Sequence, residues 1–162
     1  INYASPIGNL VINATNQGVC SISKTEPIHD ENSNPHLEQA ATELNEYFDG
    51  LRTDFDISLD ISGTDFQKNC WQELVKIPFG ETISYLELAQ RVASPKHCRA
   101  VANANNKNKL PIFIPCHRVI GSDGSLTGFA WGLDIKEFLL KKEGAERESA
   151  PSTHKRENTF IK

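Results

Sequence analysis

Apolar and polar residues alternate through the first stretch of the chain, between clear turn signals. Leu10 and Ile12, then Val19 and Ile22, are separated by Ser5-Pro6-Ile7-Gly8-Asn9 and Asn16-Gln17-Gly18, which predicts a small antiparallel hairpin sheet over Tyr3 to Ser23. From Pro35 the period changes. Leu37, Ala40, Ala41, Leu44 and Phe48 recur at helical spacing until Gly50 stops them. Phe55, Ile57, Leu59 and Ile61 alternate again, predicting one more strand that closes an α/β module near Ser62-Gly63.

The second half is punctuated by helix starts. Thr64-Asp65-Phe66-Gln67 and Ser84-Tyr85-Leu86-Glu87 read as capping boxes, and Asp134 with Glu137 imitates them, with Leu133 and Phe138 spaced as a hydrophobic staple. Ser94-Pro95 gives a fourth start, serine as cap and proline in the first helical position. The Ser84 helix ends near Val92, so a second helix running Lys96 to Asn105 follows after a short turn, which is the layout of a helix-turn-helix. Layout alone fits an ordinary packed helix pair equally well. Past Gly144 the sequence turns polar and loses its periodicity, and a flexible tail is expected over 145–162. The resulting division is 1–62, 63–144 and the tail.

Charge changes this picture. The net charge of -4 is unevenly spread: eleven acids stand in the first 65 residues against Lys24 and Arg52. Between Glu87 and Asp123 there is no carboxylate side chain, while Arg91, Lys96, Arg99, Lys107, Lys109 and Arg118 are all present. Such a segment is the footprint expected of phosphate contact, and it tilts the helix pair toward DNA. The small residues Ala100, Ala102 and Ala104 let the second helix approach a groove closely. No apolar run is long enough to span a membrane and no secretory leader is evident, so a cytoplasmic location is expected.

Cys20, Cys70, Cys98 and Cys116 have neither zinc spacing nor disulfide density, and they read as reduced thiols. Cys70 falls on an apolar helical face. Cys20 with His29 and His36 is too irregularly spaced for a metal site, so neither metal nor cofactor is expected. Cys116 is different: Pro115-Cys116-His117-Arg118 ends the apolar run Pro111 to Ile114, read as a short buried strand, inside the acid-free segment. A thiol among cations and beside an imidazole is expected to ionise easily, and thiolate is the nucleophile. Neighbouring side chains on extended backbone diverge, so contact between His117 and the sulfur calls for a bridging water. Glu143, at the end of the apolar helix Ile135 to Leu140, is the candidate to orient the ring. A cysteine hydrolase and a sequence-specific regulator are the alternatives at this point.

Gly63-Thr64-Asp65-Phe66-Gln67, Trp71, Ile77-Pro78-Phe79-Gly80-Glu81-Thr82, Ser84-Tyr85, Arg99-Ala100-Val101, Asn108, Ile114 to Ile120 and Leu139-Leu140 with Glu143 follow the order and spacing of the O6-alkylguanine-DNA alkyltransferases. The chain resembles that family densely over 63–144 and more thinly at Tyr3 to Gly8. Asn108-Lys109-Leu110 and Ala130-Trp131-Gly132 look most like the C-terminal domain of bacterial Ada proteins. The resemblance implies an α+β protein, a ribonuclease-H-like subdomain followed by a winged helix-turn-helix-like one. It also implies a suicide methyltransferase without cofactor, acting as a monomer on double-stranded DNA through the minor groove. Carried over, Cys116 would attack the alkyl carbon on an everted guanine. His117 would remove the thiol proton, Glu143 would hold His117 and Asn108 would brace the loop. Tyr85 would hydrogen-bond the base, and Arg99 would fill the space it leaves. Lys96, Ala100, Ala104, Lys107 and Arg118 would line the DNA. Val119, Phe129, Ala130 and Trp131 would line the pocket. The chain departs from the pattern at Phe129, often tyrosine, at Trp131, often glycine, and at Ala102 and Asn106. Trp131 should narrow the mouth of the pocket.

Overall fold

In the computed structural model, which describes residues 1–29 and 33–145, the chain divides into two compact units, Ile1–Ser62 and the remainder from Gly63. Strands β1 (Asn2–Ser5), β2 (Gly8–Ala14) and β3 (Val19–Lys24) form an antiparallel sheet in sequence order. The register sets Tyr3 against Leu10 and Ile12 against Ile22, so the alternation read from sequence becomes one buried face. Helix α1 (Pro35–Phe48) covers it with Leu37, Ala40, Leu44 and Tyr47. Asn34 caps that helix, its side chain accepting from the Leu37 amide at 2.9 Å, an interaction worth about 1 kcal/mol.

The strand expected over Phe55 to Ile61 shrinks to one parallel bridge between Val19 and Leu59. Val19 N donates to Ser58 O and Asp60 N to Val19 O. The ladder stops because Asp56 N donates instead to the buried Glu43 carboxylate, at 2.8 Å. Gly18 makes even that bridge possible, since a Cβ there would lie 2.5 Å from the Ser58 carbonyl oxygen.

The second unit contains α2 (Asp65–Val75), β4 (Ile83–Ser84), α3 (Tyr85–Val92), α4 (Cys98–Asn106), β5 (Val119–Ile120) and α5 (Leu133–Lys142), with β4 and β5 pairing in parallel. The fold is thus mixed α/β, a small sheet with one helix followed by a largely helical region. Thr64 and Gln67 form the full capping box of α2. Ser84 caps α3 through the Glu87 amide, but the Glu87 carboxylate turns to Arg91 at 2.6 Å instead of closing the box. Asp134 is no cap: α5 starts at Leu133 behind Gly132, which has no side chain to accept, and Leu133 and Phe138 stay exposed. Ser94 opens a 3-10 turn, Pro95–His97, rather than α4 itself, because its hydroxyl binds the Lys96 amide and the His97 ring.

Helix α4 packs on α2 through Val101 and Ala104, and the Trp71 indole donates to the Ala104 carbonyl at 2.9 Å. Burying an aromatic of this size contributes about 1.5–3 kcal/mol. Cys70 is core, as its pattern predicts. Ala145, which opens the expected tail, packs with Ile120 and Leu140. The rest of that expected tail, 146–162, lies outside the described residues.

Candidate active site

The run Pro111 to Ile114 is a tight turn rather than a strand. Asn108 folds it: its Nδ2 donates to Ile114 O at 2.8 Å and its Oδ1 accepts from Leu110 N at 2.9 Å. Ile112 is driven to φ 75°, a left-handed conformation that costs a β-branched residue about 1–3 kcal/mol. Pro115, at φ -77° and ψ 67°, then makes an inverse γ-turn with Cys116 N donating to Ile114 O at 2.7 Å. Cys116 opens the 3-10 turn Cys116–Arg118 with its side chain buried.

The two residues after the thiol converge on one carboxylate delivered by the end of α5. His117 Nε2 lies 2.8 Å from Glu143 Oε2. Arg118 donates Nε to Oε1 at 2.8 Å and Nη2 to Oε2 at 3.0 Å, while its Nη1 donates to Ile77 O. Burial works against the Glu143 charge, yet His117 and Arg118 outweigh it and hold the group well below the ordinary carboxylate range. An ionised carboxylate only accepts, so Nε2 carries the ring hydrogen. Burial also lowers the His117 pKa against the pull of Glu143. The ring is therefore neutral near pH 7, with Nδ1 free of a proton. That nitrogen is buried and has no hydrogen-bond partner.

Two expectations are corrected here. The thiol is not ionised easily in the resting protein: burial pushes Cys116 up to about 11, with Asn108 and the Lys136 charge opposing only part of the shift. Arg118 and Ala104 are not surface contacts for DNA. Arg118 is 6% exposed with its guanidinium spent on Glu143 and Ile77, and Ala104 is 2% exposed against α2. Arg99, Lys96, Ala100 and Lys107 are exposed on the α4 side, clear of that core.

Tyr85, the first residue of α3, donates its hydroxyl to Thr127 O at 3.0 Å. The loop that follows carries Phe129 and Trp131, edge to face with centroids 6.3 Å apart, and the exposed Ala130. Val119 is fully buried in β5. Sequence reasoning missed Lys136. It is wholly buried, donates Nζ to Thr127 O at 2.8 Å and lies 5.6 Å from the Tyr85 ring centre. Its signal was available: Lys136, Leu139, Leu140 and Glu143 share one face of α5, so that face ends in a charge at both ends.

A neutral imidazole held by a carboxylate thus follows a buried thiol in the chain, in a unit that also exposes Lys96, Arg99 and Lys107 around α4. Profiles of one family cover nearly the whole described chain: the 6-O-methylguanine DNA methyltransferase ribonuclease-like domain matches residues 2–61 and its DNA binding domain matches 65–145. The methylated-DNA–protein-cysteine methyltransferase of Methanosarcina acetivorans is 43% identical over 150 residues, 88% of this chain and 96% of that protein. Its counterpart in Methanosarcina barkeri is 57% identical over 105 residues, spanning 65% of this chain and 66% of its own length. The crystal structure of Mycobacterium tuberculosis OGT in complex with DNA superposes with a TM-score of 0.80 at 40% identity, over 88% of this chain and 90% of that one. The chain belongs to the 6-O-methylguanine DNA methyltransferase family, enzymes of DNA repair that methylate a protein cysteine. Among the described residues, no helix is long and apolar enough to cross a membrane.

Proposed function

We propose that Cys116 takes the methyl group from O6 of a guanine everted from duplex DNA, once per molecule and without a cofactor. The observation that carries this reading is the buried sequence of Cys116, His117 and Glu143, with His117 Nδ1 left as an unpaired acceptor. His117 receives the thiol proton through a water as sulfur attacks. The S–C bond forms, the methyl C–O6 bond breaks with its electron pair passing to O6 and the ring, and guanine takes up at N1 a proton from solvent, balanced by the one His117 then releases. A thioether has no good leaving group, so the thiol is not regenerated.

The resting thiol, held neutral by burial, is guarded from adventitious oxidation until a substrate arrives. Its proton then leaves only as the new bond forms. Tyr85 shifts its hydroxyl from the Thr127 carbonyl to the base, where it acts on charge gathering at the leaving group. Extruding the base costs a few kcal/mol, and Arg99, exposed in the first turn of α4, occupies the gap. A helix lined with alanine rather than a row of base-reading side chains suits the minor groove, where sequence is poorly distinguished. The monomer suffices for all of these steps. O4-methylthymine presents the same kind of methyl ether, and its reactivity measures how closely the purine is read.

Incubation with a duplex carrying one radiolabelled O6-methylguanine tests the reading. The label is expected on the Cys116 peptide of the wild type and absent from Cys116→Ala. Folded wild-type protein that leaves Cys116 unlabelled, or that turns over acyl substrates at that thiol, overturns it. Trp131 narrows the pocket in this reading, so O6-benzylguanine reacts more slowly than the methylated duplex; equal rates remove that point.

A further inference from the structure

Among the described residues, two buried side-chain polar atoms lack a hydrogen-bond partner: His117 Nδ1 and Asn105 Oδ1. Both belong to residues joined to Cys116, one by the chain and one by a hydrogen bond. His117 follows Cys116 in the chain, and Asn105, 2% exposed near the end of α4, donates Nδ2 to the Cys116 carbonyl at 3.3 Å. That contact fixes which way the amide faces, because turning it would set two oxygens against each other.

Both orphan atoms are acceptors. Nδ1 is unprotonated when Nε2 donates to Glu143, and an amide oxygen can only accept. Buried acceptors left unpaired are destabilising, and internal waters commonly satisfy about three such groups at once. Two acceptors and one weak donor, the Cys116 thiol, are the complement of a single water. Its two hydrogens serve Nδ1 and Oδ1, and its lone pair receives the S–H.

We infer that Asn105 is a positioning residue for the proton transfer, its Oδ1 and His117 Nδ1 together holding one water against the Cys116 thiol. This rests on the reading of His117 as the base given above. The thiol proton passes to the water oxygen, the hydrogen facing Nδ1 passes to His117, and the sulfur pair forms the bond to carbon as the C–O6 bond breaks. The hydrogen held by Asn105 stays where it is, so the asparagine selects which of the two protons moves.

The test compares the wild type, Asn105→Leu and Asn105→Asp by single-turnover methyl transfer from an O6-methylguanine duplex across neutral and alkaline pH, with DNA affinity measured separately. Asn105→Leu is expected to lower the rate constant at neutral pH by about 10²-fold with DNA affinity unchanged. The deficit should narrow as pH rises, because hydroxide then removes the proton without the relay. Tyr85, Lys136, His117, Arg118 and Glu143, the titratable groups around the thiol, are present in all three proteins. Asn105→Asp keeps an oxygen acceptor in the same place and is expected to recover most of the rate at neutral pH. A wild-type rate in Asn105→Leu, a deficit that does not change with pH, or a high-resolution wild-type crystal structure without a water touching both acceptors overturns the inference. The crystal structure and the near-isosteric Asp variant decide the matter even if the Leu variant does not fold. If His117→Gln reacts as fast as the wild type, the base itself was misread; if His117→Gln is slow and Asn105→Leu is not, only the role of Asn105 fails.

Discussion

Each unit of this chain buries a glutamate against an arginine, and the two arrangements differ in what is left over. In the N-terminal unit Glu43 accepts from Gln39 at 2.7 Å and from the Asp56 amide at 2.8 Å, while Arg52 spreads over Glu46, Asp56 and the Asp54 carbonyl. No buried side-chain atom of that network is unpaired. In the C-terminal unit Glu143 is shared by Arg118 and His117, and the chain of contacts ends on an imidazole nitrogen with no partner. A closed network fastens a loop to a helix. An open one, ending on the residue after a buried thiol, keeps a lone pair available for the proton transfer proposed above.

The comparison breaks first at Glu143. Glu143→Gln keeps the shape but removes the charge that holds the His117 tautomer and offsets Arg118. Methyl transfer is expected to fall about 10²- to 10⁴-fold, and urea unfolding should show a loss of about 3–5 kcal/mol from an uncompensated buried guanidinium. A variant that loses stability yet transfers at the wild-type rate would put Glu143 in the same class as Glu43.

The next effect comes from the thiol. A cysteine raised to about 11 in the folded protein stays protonated where the unfolded chain, ionising near pH 9, has already lost its proton. The unfolded state binds fewer protons in that window, so stability is complete below about pH 9 and falls as pH rises toward the folded value, by about 2–3 kcal/mol. Cys116→Ala should lack this part of the alkaline slope, whatever its offset from the lost side chain. Parallel slopes for the two proteins between pH 9 and 11 would mean that the resting thiol is more ionised than its burial implies.

Both arrangements were only half visible in the sequence, for the same physical reason. The sheet, α1 and the starts of α2 and α3 were legible because alternation, helical period and caps are local. Cys116, His117 and Glu143 were legible because the first two are adjacent and the third closes the apolar face of α5. The turn at Ile112 was not, since an apolar run reads as strand until the Asn108 side chain is known to bind both of its ends. Arg118 read as a DNA contact because its charge is visible and its partner, 25 residues on, is not. The neutrality of Cys116 escaped for a related reason: neighbouring cations are written in the sequence, whereas the depth of burial that overrides them is a property of the packed unit.

The smallest effect sharpens the contrast from the other side. Glu43→Ala removes the acceptor of the Asp56 amide and of the exposed Gln39 side chain, both paired to it at hydrogen-bonding distance, and should cost about 1–2 kcal/mol in urea unfolding. The loop at Asp54 to Asp56 would loosen first, because Asp56 N loses the acceptor that drew it away from the sheet, and its amide should exchange with solvent faster than that of Val19, whose bond to Ser58 O is backbone only. Transfer to Cys116 should proceed at the wild-type rate at any temperature where the variant is folded. Every polar group around Glu43 has its partner within the network, so its removal alters how firmly a loop is tied and leaves no acceptor next to a reacting atom. A slowed transfer in folded Glu43→Ala would show that pairing within a network does not separate a fastening from a machine, and the contrast between the two glutamates would have to be drawn on other grounds.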